Sequence, residues 1–398
     1  MARPLAGGSE SHSQGGDTVS VRLEVRALSE KEFGSVEKDW ARLLHTSTAD
    51  PLFMSWPWLY SWWETWGSRL GLELVLLGVY LPDGKQLVGI APLYRHRFRI
   101  AIGMKVTRLH FLGNAWRVSP TVRTEYVGLI VEPQREREVA DAVARYLCAT
   151  EWDELMIPDS QQINGGTFGK ALAEHCNAIP LLRSESQGIR VDTTGSFRTW
   201  AESLGANTRL KAFNRRAVFE KELSGHWQPV EEDQVSQSRF MDSLNDFHQR
   251  RWGKPCFDRQ ALEFHLKLLG RLGSNQRPEL SGLVADGKVV SVLYDIRAGE
   301  RIYNLQSGYD ESLHRKLSLG TLHLGYAIER AFHHPSVCCY DLLAGSGKKT
   351  FYKSHFHGQQ VDFPTLDFVR SPILRAAYHC RPWLPGNLVS RINRVFRL

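Results

Sequence analysis

The sequence predicts a mixed α/β (α+β) fold, with helices packed on mixed β-sheets, built from two similar units in tandem. Three observations lead to this prediction. The chain has 398 residues, more than one hydrophobic core usually organises. Two Asp-Gly-Lys turns, at 83–85 and 286–288, each join two apolar, strand-like runs. After each hairpin the sequence reads strand, helix, strand, which is typical of a crossover helix packed on a sheet.

The two halves carry matching features at a nearly constant offset. The segments "PLFMSWPWLYSWW" (51–63) and "PCFDRQALEFHLKLL" (255–269) both place Pro-x-Phe before an amphipathic helix. Pro51 and Pro255 lie 204 positions apart, and the two turn aspartates lie 203 positions apart. Two unrelated features at one spacing indicate a duplicated domain of about two hundred residues. A chance likeness of short hairpins is the alternative.

The remaining elements follow the same order in both halves. The first half predicts a strand at 125–133, a helix at 135–148 and a strand at 153–157, and the second predicts a strand at 301–310, a helix at 320–332 and a strand at 338–345. The resulting division is a disordered arm (1–20), a first half (21–190), a second half (191–370) and a basic tail (371–398). The arm is rich in Gly and Ser and has no apolar stretch typical of a secretory signal.

Composition favours a globular chain with anionic partners. Apolar residues make up 42% of the sequence, charged residues make up 23%, and the formal net charge is +7. Six cysteines occur without a C-x-x-C pair, so we expect no metal site and a reducing, cytoplasmic setting. No apolar run approaches the roughly 18 residues that a transmembrane helix needs.

The tail suggests peripheral contact with a membrane. Residues 370–398 contain six arginines and no acidic residue. The pattern of "NLVSRINRVFRL" suits either an interfacial helix on anionic lipid or docking on the protein itself. Prolines 372, 382 and 385 confine any such helix to the last dozen residues.

One helix entry in the second half predicts an anion site. Two cations, two hydroxyls and a glycine precede or open the predicted helix, namely Arg315, Lys316, Ser318, Gly320 and Thr321. A helix N-terminus offers free N–H groups and a positive dipole end, which suits a phosphate. Capping by Ser318 or Thr321 is the alternative. Residues 132–138 of the first half contain three glutamates instead, so only the second half is predicted to hold a cofactor. Within the second-half helix, an apolar stripe of Leu324, Ala327, Ile328 and Ala331 is predicted, with His323 away from it.

Two further patterns have competing interpretations. Trp58, Trp62 and Trp66 form one helical stripe, which predicts core packing or, alternatively, a stacking surface for a sugar. The basic helix "TRLKAFNRRAVFEKEL" (208–223) predicts a solvated charged face.

The strand, the Arg/Lys-x-x-Ser-x-Gly-Thr loop and the amphipathic helix resemble the acyl-CoA pyrophosphate loop of GNAT acyltransferases. The motifs "SGYDESLHRKLSLGT" (307–321), "YDLLAG" (340–345) and "FYKSHF" (351–356) extend this resemblance. The layout looks like the CelD-type (cellulose-biosynthesis-associated) GNAT proteins, and it is similar to Fem-type aminoacyl ligases, which have two GNAT-like domains in tandem. Ser318 stands where a GNAT loop usually has its first glycine.

The resemblance implies roles for particular residues. The donor, acetyl-CoA or another acyl-CoA, is expected to contact Gln306, Ser307, Arg315, Lys316, Leu317, Ser318, Leu319, Gly320 and Thr321. Asp341 is a candidate general base or acceptor-orienting group, with a structural aspartate as the alternative. The resemblance implies that Lys353 lines the substrate groove, where it is a candidate for binding an acceptor phosphate or the developing oxyanion, with an exposed lysine as the alternative. Tyr303 is a candidate acid for the departing thiolate, with a residue of the sheet as the alternative.

The implied function is transfer of an acyl group, acetyl first among them, to an amine or hydroxyl of a glycan, sugar or lipid-linked precursor. Polysaccharide or cell-envelope biosynthesis is the expected setting. Two alternatives stay open: a Fem-like aminoacyl-tRNA-dependent ligase, and a non-catalytic accessory protein of a polysaccharide system. In Fem-type ligases a helical arm at the place of residues 208–223 contacts tRNA; here the arm is short, and we do not expect a tRNA partner.

Overall fold

The computed structural model describes residues 22–100, 103–115, 117–160, 165–345 and 350–380. The strands are β1 (Glu24–Leu28), β2 (Glu73–Tyr80), β3 (Leu87–Arg99), β4 (Lys105–Phe111), β5 (Ile130–Val131), β6 (Glu154–Ile157), β7 (Ile179–Asp192), β8 (His226–Pro229), β9 (Gln276–Ala285), β10 (Lys288–Ala298), β11 (Arg301–Tyr309), β12 (Cys339–Gly345) and β13 (Gln359–Val369). The α-helices are α1 (Glu30–Ser35), α2 (Glu37–Thr46), α3 (Trp56–Trp66), α4 (Glu136–Cys148), α5 (Gly166–Cys176), α6 (Phe197–Ser203), α7 (Ala206–Arg209), α8 (Arg216–Glu222), α9 (Gln234–Trp252), α10 (Arg259–Leu269), α11 (Leu319–His333) and α12 (Pro372–Cys380). The predicted arm (1–20) and the tail beyond Cys380 lie outside the described residues.

The described strands form one sheet that runs through both halves. Its order is β1-β2-β3-β4-β6-β13-β7-β12-β11-β10-β9-β8, with β5 paired to β3. In each half an antiparallel hairpin, β2–β3 or β9–β10, precedes a parallel pair, β4–β6 or β11–β12. The crossover helices α4 and α11 connect these parallel pairs. The mixed α/β fold and the repeated strand order agree with the sequence prediction.

Both predicted hairpins form at their Asp-Gly turns. Asp286 and Gly287 have φ angles of 46° and 71°, the left-handed pair that a tight turn between twisted strands requires. In the first half Gly84 has a φ of 66°, and the Lys85 N–H donates to the Asp83 carboxylate over 3.1 Å.

The last strand ties the two halves together. β13 pairs antiparallel with β6 through Leu366–Val369 and with β7 along its whole length. β7 in turn pairs antiparallel with β12. The predicted domain boundary at residue 190 falls within β7, which pairs with β13 on one side and β12 on the other. The division into two domains stays a prediction.

The strand predicted at 125–133 is wrong except for β5. Tyr126 has a φ of 56°, which interrupts an extended chain. Side chains here make specific contacts instead of forming a ladder: the Thr124 hydroxyl bonds to the Gly113 carbonyl at 2.5 Å. The strand that pairs with β6 is β4, followed by a long connection to α4.

The largest hydrophobic cluster joins the halves on one face of the sheet. α3 packs against α10, with the rings of Trp58 and Trp66 at 5.1 and 5.4 Å from Phe264. Trp58, Trp62 and Trp66 are all at most 3% exposed, so the predicted core stripe is confirmed. α11 lies on the opposite face, in a second cluster with Ile302, Tyr340 and Leu342.

Candidate functional site

Two parallel strands diverge at the centre of the second half. β11 and β12 pair only through Arg301–Cys339, Ile302–Tyr340 and Tyr303–Asp341, although both strands continue beyond these pairs. Past this point each strand leaves a stretch of backbone unpaired with the other. The divergence therefore opens a gap in the sheet, with α11 on one face and α3, α9 and α10 on the other.

Each diverging strand carries an irregularity at this gap. In β11, Leu305 has no partner in the ladder, because Gln306 pairs with Tyr294 and Asn304 pairs with Asp295. In β12, Leu343 has a φ of 59°, a conformation that is costly for a branched side chain. Bulges bend a strand and redirect side chains, and they are frequent next to active sites. Neither irregularity carries a sequence signal such as a glycine.

A cavity of about 340 Å³ lies at the gap, which we call the central cavity. Its lining comes from both halves: Phe53, Trp58, Trp66, Pro120, Thr121, Val122, Arg123 and Glu125 from the first, and Cys256, Phe257, Asp258, Ala261, His265, Asn304, Leu305, Gln306, Leu343, Ala344 and Lys353 from the second. Aromatic walls with a few polar groups are typical of small-molecule sites, and this volume is near the lower end of their range. Pro120 and Asp258 are exposed.

Glu125 is a buried carboxyl group in the wall of the central cavity. It is 3% exposed, and it accepts a hydrogen bond from the Ala344 N–H of β12 over 3.0 Å. Arg123 lies 3.4 Å from it but bonds in bidentate fashion to Asp159, at 2.8 and 2.7 Å. Burial raises the pKa of Glu125 to about 8, against a lowering by Arg123.

Lys353 lines the same cavity from the second half, and its predicted contact with a substrate stays a prediction. Its ammonium group donates to the Leu342 carbonyl of β12. Burial lowers the pKa of Lys353, while the carboxylates of Glu125 and Asp341 act in the opposite sense. The structure thus places a buried acid and a buried amine side by side at the gap.

His265 presents an unsatisfied nitrogen at the central cavity. The residue is 3% exposed, and its Nδ1 lies 3.1 Å from the Tyr294 hydroxyl. Its Nε2 is buried and has no hydrogen-bond partner among the described residues. Burial lowers the pKa of His265 to about 3, so the ring is neutral at physiological pH. Buried polar atoms are normally bonded, so an unsatisfied nitrogen in a cavity wall indicates a partner other than the described residues.

Asp341 lies behind the gap and does not line the central cavity. It is 1% exposed, and its carboxylate accepts from the Tyr126 hydroxyl at 2.5 Å and the Leu343 N–H at 2.8 Å. Arg190 and Arg301 approach it at 3.3 and 3.9 Å. This network holds Leu343 in its positive-φ conformation. Its role as a general base stays a prediction.

Tyr303 is a core residue that bonds to the first half. Its side chain is fully buried, and its hydroxyl donates to Asp50 over 2.8 Å. Arg301 pairs with the same Asp50 carboxylate at 3.1 Å. Burial raises the pKa of Tyr303 well above that of a free tyrosine. Tyr303 is absent from the central-cavity wall, and its role as a proton donor to the thiolate stays a prediction.

The start of α11 retains free backbone donors. Ser318 occupies the N-cap position, yet its side chain makes no capping bond. Arg315 and Lys316 are exposed, and the Lys316 carbonyl accepts from Arg215. Leu319 is buried, and Leu317 packs against the same cluster. The uncapped first turn of α11 leaves N–H groups to which an anion could bind, and the predicted donor site at this turn stays a prediction.

Gly320 and the end of β11 are in close contact with other side chains of the protein. A Cβ on Gly320 would lie 2.5 Å from the Tyr309 ring, so the glycine is required by Tyr309 packing whether or not a ligand approaches. The Ser307 N–H donates to the Gln306 side chain at 3.0 Å, and the Ser307 carbonyl lies 2.9 Å from His248 Nε2. A thioester that pairs with this part of β11 must replace those contacts.

The corresponding helix of the first half is closed to anions. Glu136 and Glu138 occupy the first turn of α4. Arg135 pairs with Glu132 and Glu138 at 3.4 and 3.0 Å, and Glu136 accepts from Thr167 at 2.7 Å. These acids already neutralise the dipole of α4.

The basic segment 208–223 is not a solvated charged face, which corrects that prediction. It is broken into α7, a π-helical turn and α8, and its arginines bond within the protein. Arg209 donates to the Glu202 and Leu204 carbonyls, and Arg216 pairs with Glu329 and lies 3.9 Å from the Tyr326 ring centre. Arg215 bonds to Lys316, as noted above.

His323 anchors α11 to the sheet, although the sequence placed it away from the apolar stripe. It is fully buried, with its ring nitrogens 3.0 Å from Ser281 Oγ and 2.8 Å from Ser291 Oγ. The two serines lie on β9 and β10 and are small enough to admit the ring. An alternating strand pattern does not reveal such a polar contact beneath a helix.

Replacing His323 with phenylalanine is expected to lower the free energy of unfolding by about 1–3 kcal/mol, because the buried Ser281 hydroxyl loses this contact and Ser291 keeps only its bond to the Gly308 carbonyl. Urea denaturation followed by circular dichroism measures the change. The matched variant His333→Phe, at the exposed end of the same helix, should change stability by no more than about 0.5 kcal/mol. Equal losses in both variants would contradict an anchoring role for His323.

One group of possible metal ligands occurs among the described residues. Asp141, Glu174 and His175 lie close enough to share an ion, but Arg137 pairs with both carboxylates, at 2.9 and 2.5 Å. The absence of a metal stays a prediction. Among the described residues, none of the helices has the length and apolar character needed to cross a bilayer.

Comparison with known proteins identifies a matching family model and similar folds. Residues 206–354 match a family model described as an acetyltransferase (GNAT) domain. No curated protein matches the sequence. The solved structure of FemX is similar, with a TM-score of 0.58 and 11% identity over 89% of this chain and 99% of that one. At this identity the likeness shows the fold.

Two other solved structures are similar at lower scores. A tandem GNAT protein from the clavulanic acid biosynthesis pathway has a TM-score of 0.46 and 13% identity over 88% of this chain and 99% of that one. The C-terminal domain (DUF2156) of a putative lysylphosphatidylglycerol synthetase from Agrobacterium fabrum has a TM-score of 0.47 and 11% identity over 88% and 96%. The family match and the fold support a GNAT-type acyltransferase.

Proposed function

We propose that this protein transfers an acyl group from acyl-CoA to an amine or hydroxyl of a glycan, a sugar or a lipid-linked precursor, as a CelD-type enzyme of polysaccharide or cell-envelope biosynthesis. The observation that carries this proposal is the divergence of β11 and β12 over a cavity with buried titratable groups. Acyl transfer needs an oriented thioester and a route for a proton, and the gap supplies room for both.

The donor and the acceptor approach the gap from opposite faces of the sheet. The pyrophosphate of acyl-CoA is placed at the start of α11, near Arg315 and Lys316, and the thioester lies along β11. The acceptor occupies the central cavity, where the Trp58 and Trp66 rings and polar groups such as Asn304 suit a sugar-sized molecule. The acyl carbon then meets the acceptor between the two strands.

Thiol release from acyl-CoA tests the proposal directly. The purified full-length protein is expected to release free CoA from acetyl-CoA, or from a longer acyl-CoA, only when an amino sugar or a sugar is added. Mass spectrometry of the acceptor identifies the acylated product. A protein that binds no CoA by calorimetry and releases no thiol with any of these acceptors would contradict the proposal.

The same assay separates the two alternatives. A Fem-like ligase would ignore acyl-CoA and transfer from aminoacyl-tRNA, with binding that weakens steeply with salt. Arg216 pairs with Glu329, and Arg209 and Arg215 donate to backbone carbonyls, so these three arginines are held by contacts within the protein. An accessory protein would show no turnover with either donor. Peripheral contact with anionic lipid is also part of the proposal. It rests on the arginine-rich sequence of the tail, whose residues 381–398 lie outside the described structure.

A further inference from the structure

We infer that Glu125, supplied by the first half, accepts the proton of an amine substrate bound in the central cavity, and that His265 Nε2 is a hydrogen-bond partner of that substrate. The inference rests on the proposed function and deepens it. It assigns a catalytic group to the first half, where no donor site is predicted. It also specifies an amine, not a hydroxyl, as the acceptor group.

The position of Glu125 supports this role. Its carboxyl group lies in the cavity wall, and its Oε2 is tied to the Ala344 N–H, directly after the positive-φ residue of β12. The opposite wall of the gap is β11, along which the thioester is placed. A carboxyl group fixed to one diverging strand therefore faces the region where the acyl carbon and the acceptor meet.

Charged and titratable groups surround Glu125 on several sides. Arg123 and Asp159 lie beside it, Asp341 lies behind the gap, and Lys353 approaches from the segment after β12. Asp258 and His265 line the cavity from α10 and its N-cap. Arg123 forms an ion pair with Glu125 at 3.4 Å, but its bidentate hydrogen bonds go to Asp159. Lys353 donates to the Leu342 carbonyl. Burial outweighs the effect of Arg123, so the pKa of Glu125 lies above that of a free carboxyl group.

The orphan nitrogen of His265 is an independent sign of a ligand. Nε2 is buried, it has no hydrogen-bond partner within the described parts of the chain, and its residue lines the same cavity. A neutral imidazole can offer either an N–H or a lone pair there, and a polar substituent of the acceptor satisfies either form. The cavity would otherwise retain an unsatisfied buried group, which costs about 1–3 kcal/mol.

The proposed step balances with acyl-CoA and an amine as the reactants. The amine nitrogen attacks the thioester carbon, a C–N bond forms, and the C–S bond breaks. An amine keeps its proton until the C–N bond has formed, and a weakly basic carboxylate can then remove it. Glu125 takes that proton and passes it to the departing thiolate or to solvent, which leaves an amide and free CoA.

The variant Glu125→Gln tests the role. The amide oxygen can still accept from the Ala344 N–H, so the fold should persist. We expect kcat with an amine acceptor to fall by about 10²–10⁴-fold, while the KM for acyl-CoA is unchanged. Glu125→Asp keeps a carboxylate at a greater distance and should restore part of kcat. Melting temperatures of both variants check that the loss is not unfolding.

The pH profile supplies a signature that a merely structural residue would not give. With the pKa of Glu125 raised to about 8, the active carboxylate increases as pH rises from neutrality through that value. The ratio of wild-type to Glu125→Gln activity, measured with one acceptor, cancels titration of the acceptor itself. That ratio is expected to rise with pH and level off above about pH 9.

His265→Phe keeps a ring of similar size but removes Nε2. The KM for the acceptor is expected to rise about tenfold, with the KM for acyl-CoA unchanged. The loss of the Tyr294 contact is separated from this effect by Tyr294→Phe, which should leave the acceptor KM within about twofold of the wild type.

Three results would overturn the inference while leaving the proposed function intact. The first is an active wild type together with a Glu125→Gln variant of equal kcat and a pH-independent activity ratio. The second is a rise of activity with pH that persists in Glu125→Gln but disappears in Lys353→Met, which would assign the base to Lys353. A wild type that transfers to hydroxyls but never to amines would also overturn it. No transfer from acyl-CoA by the wild type would overturn both the inference and the proposed function.

Discussion

Replacing Asp341 with alanine is expected to lower the free energy of unfolding by about 3 kcal/mol, the lower end of the range for breaking a buried ion pair. The variant removes the Asp341 carboxylate from its ion pair with Arg190, and it removes the acceptor of the Tyr126 hydroxyl and of the Leu343 N–H. Arg301 keeps Asp50, which limits the loss. Urea denaturation with two probes, far-UV circular dichroism and tryptophan fluorescence, measures the change.

The variant Asp341→Asn separates support of the strand from proton transfer. An amide oxygen can still accept from the Leu343 N–H, so part of the stability should return. If Asp341 only positions β12, then Asp341→Asn should change kcat by less than about tenfold and leave the pH profile as in the wild type. A stable Asp341→Asn protein with kcat reduced a hundredfold or more, about 10²-fold being typical of a lost proton-transfer group, would contradict a purely positioning role.

The sequence predicted the local elements of the fold better than their assembly. Asp-Gly turns and the periodicity of α11 are set by neighbouring residues, so both hairpins and this helix appear where predicted. The place of β13 between β6 and β7 depends on pairing across about two hundred residues, and it has no local signal. The strand predicted at 125–133 failed because apolar composition does not reveal a positive φ such as that of Tyr126.

The candidate site shows the same contrast. A loop motif pointed to Arg315 through Thr321, and a resemblance pointed to Lys353, which does line the central cavity. Glu125 and His265 were missed, because each stands among other polar residues in its segment, "RTEYVGL" or "LEFHLKL", and nothing local distinguishes it. The central cavity brings the two residues together from opposite halves of the chain.

The two halves thus share one strand arrangement but offer different chemistry. At α4 the acids Glu136 and Glu138 occupy the place where α11 has free donors. The first half instead contributes Glu125, Trp58 and Trp66 to the wall of the central cavity. Under the proposed function, duplication freed one copy from donor binding, and that copy could then supply an acceptor surface and a proton acceptor.

Introducing an acid at the start of α11 is expected to block the donor without harming the helix. Thr321 is the third residue after the Ser318 N-cap, so Thr321→Glu creates the Ser-x-x-Glu pattern of a capping box. The new carboxylate also complements the helix dipole, so the melting temperature should stay equal or rise slightly. A like charge at about 5 Å from a phosphate costs about 3 kcal/mol at an effective dielectric of ~20, which corresponds to about a hundredfold increase in the KM for acyl-CoA.

The neutral variant Thr321→Gln isolates the charge, since glutamine can complete the same cap without repelling a phosphate. Its KM for acyl-CoA should stay within about threefold of the wild-type value, and high salt should narrow the difference between the two variants. Gly320 is unsuitable for this test, because any side chain there meets Tyr309 and disturbs the packing directly. A folded Thr321→Glu protein that binds CoA as tightly as the wild type by calorimetry would show that the pyrophosphate lies elsewhere, and the donor site at α11 would have to be abandoned.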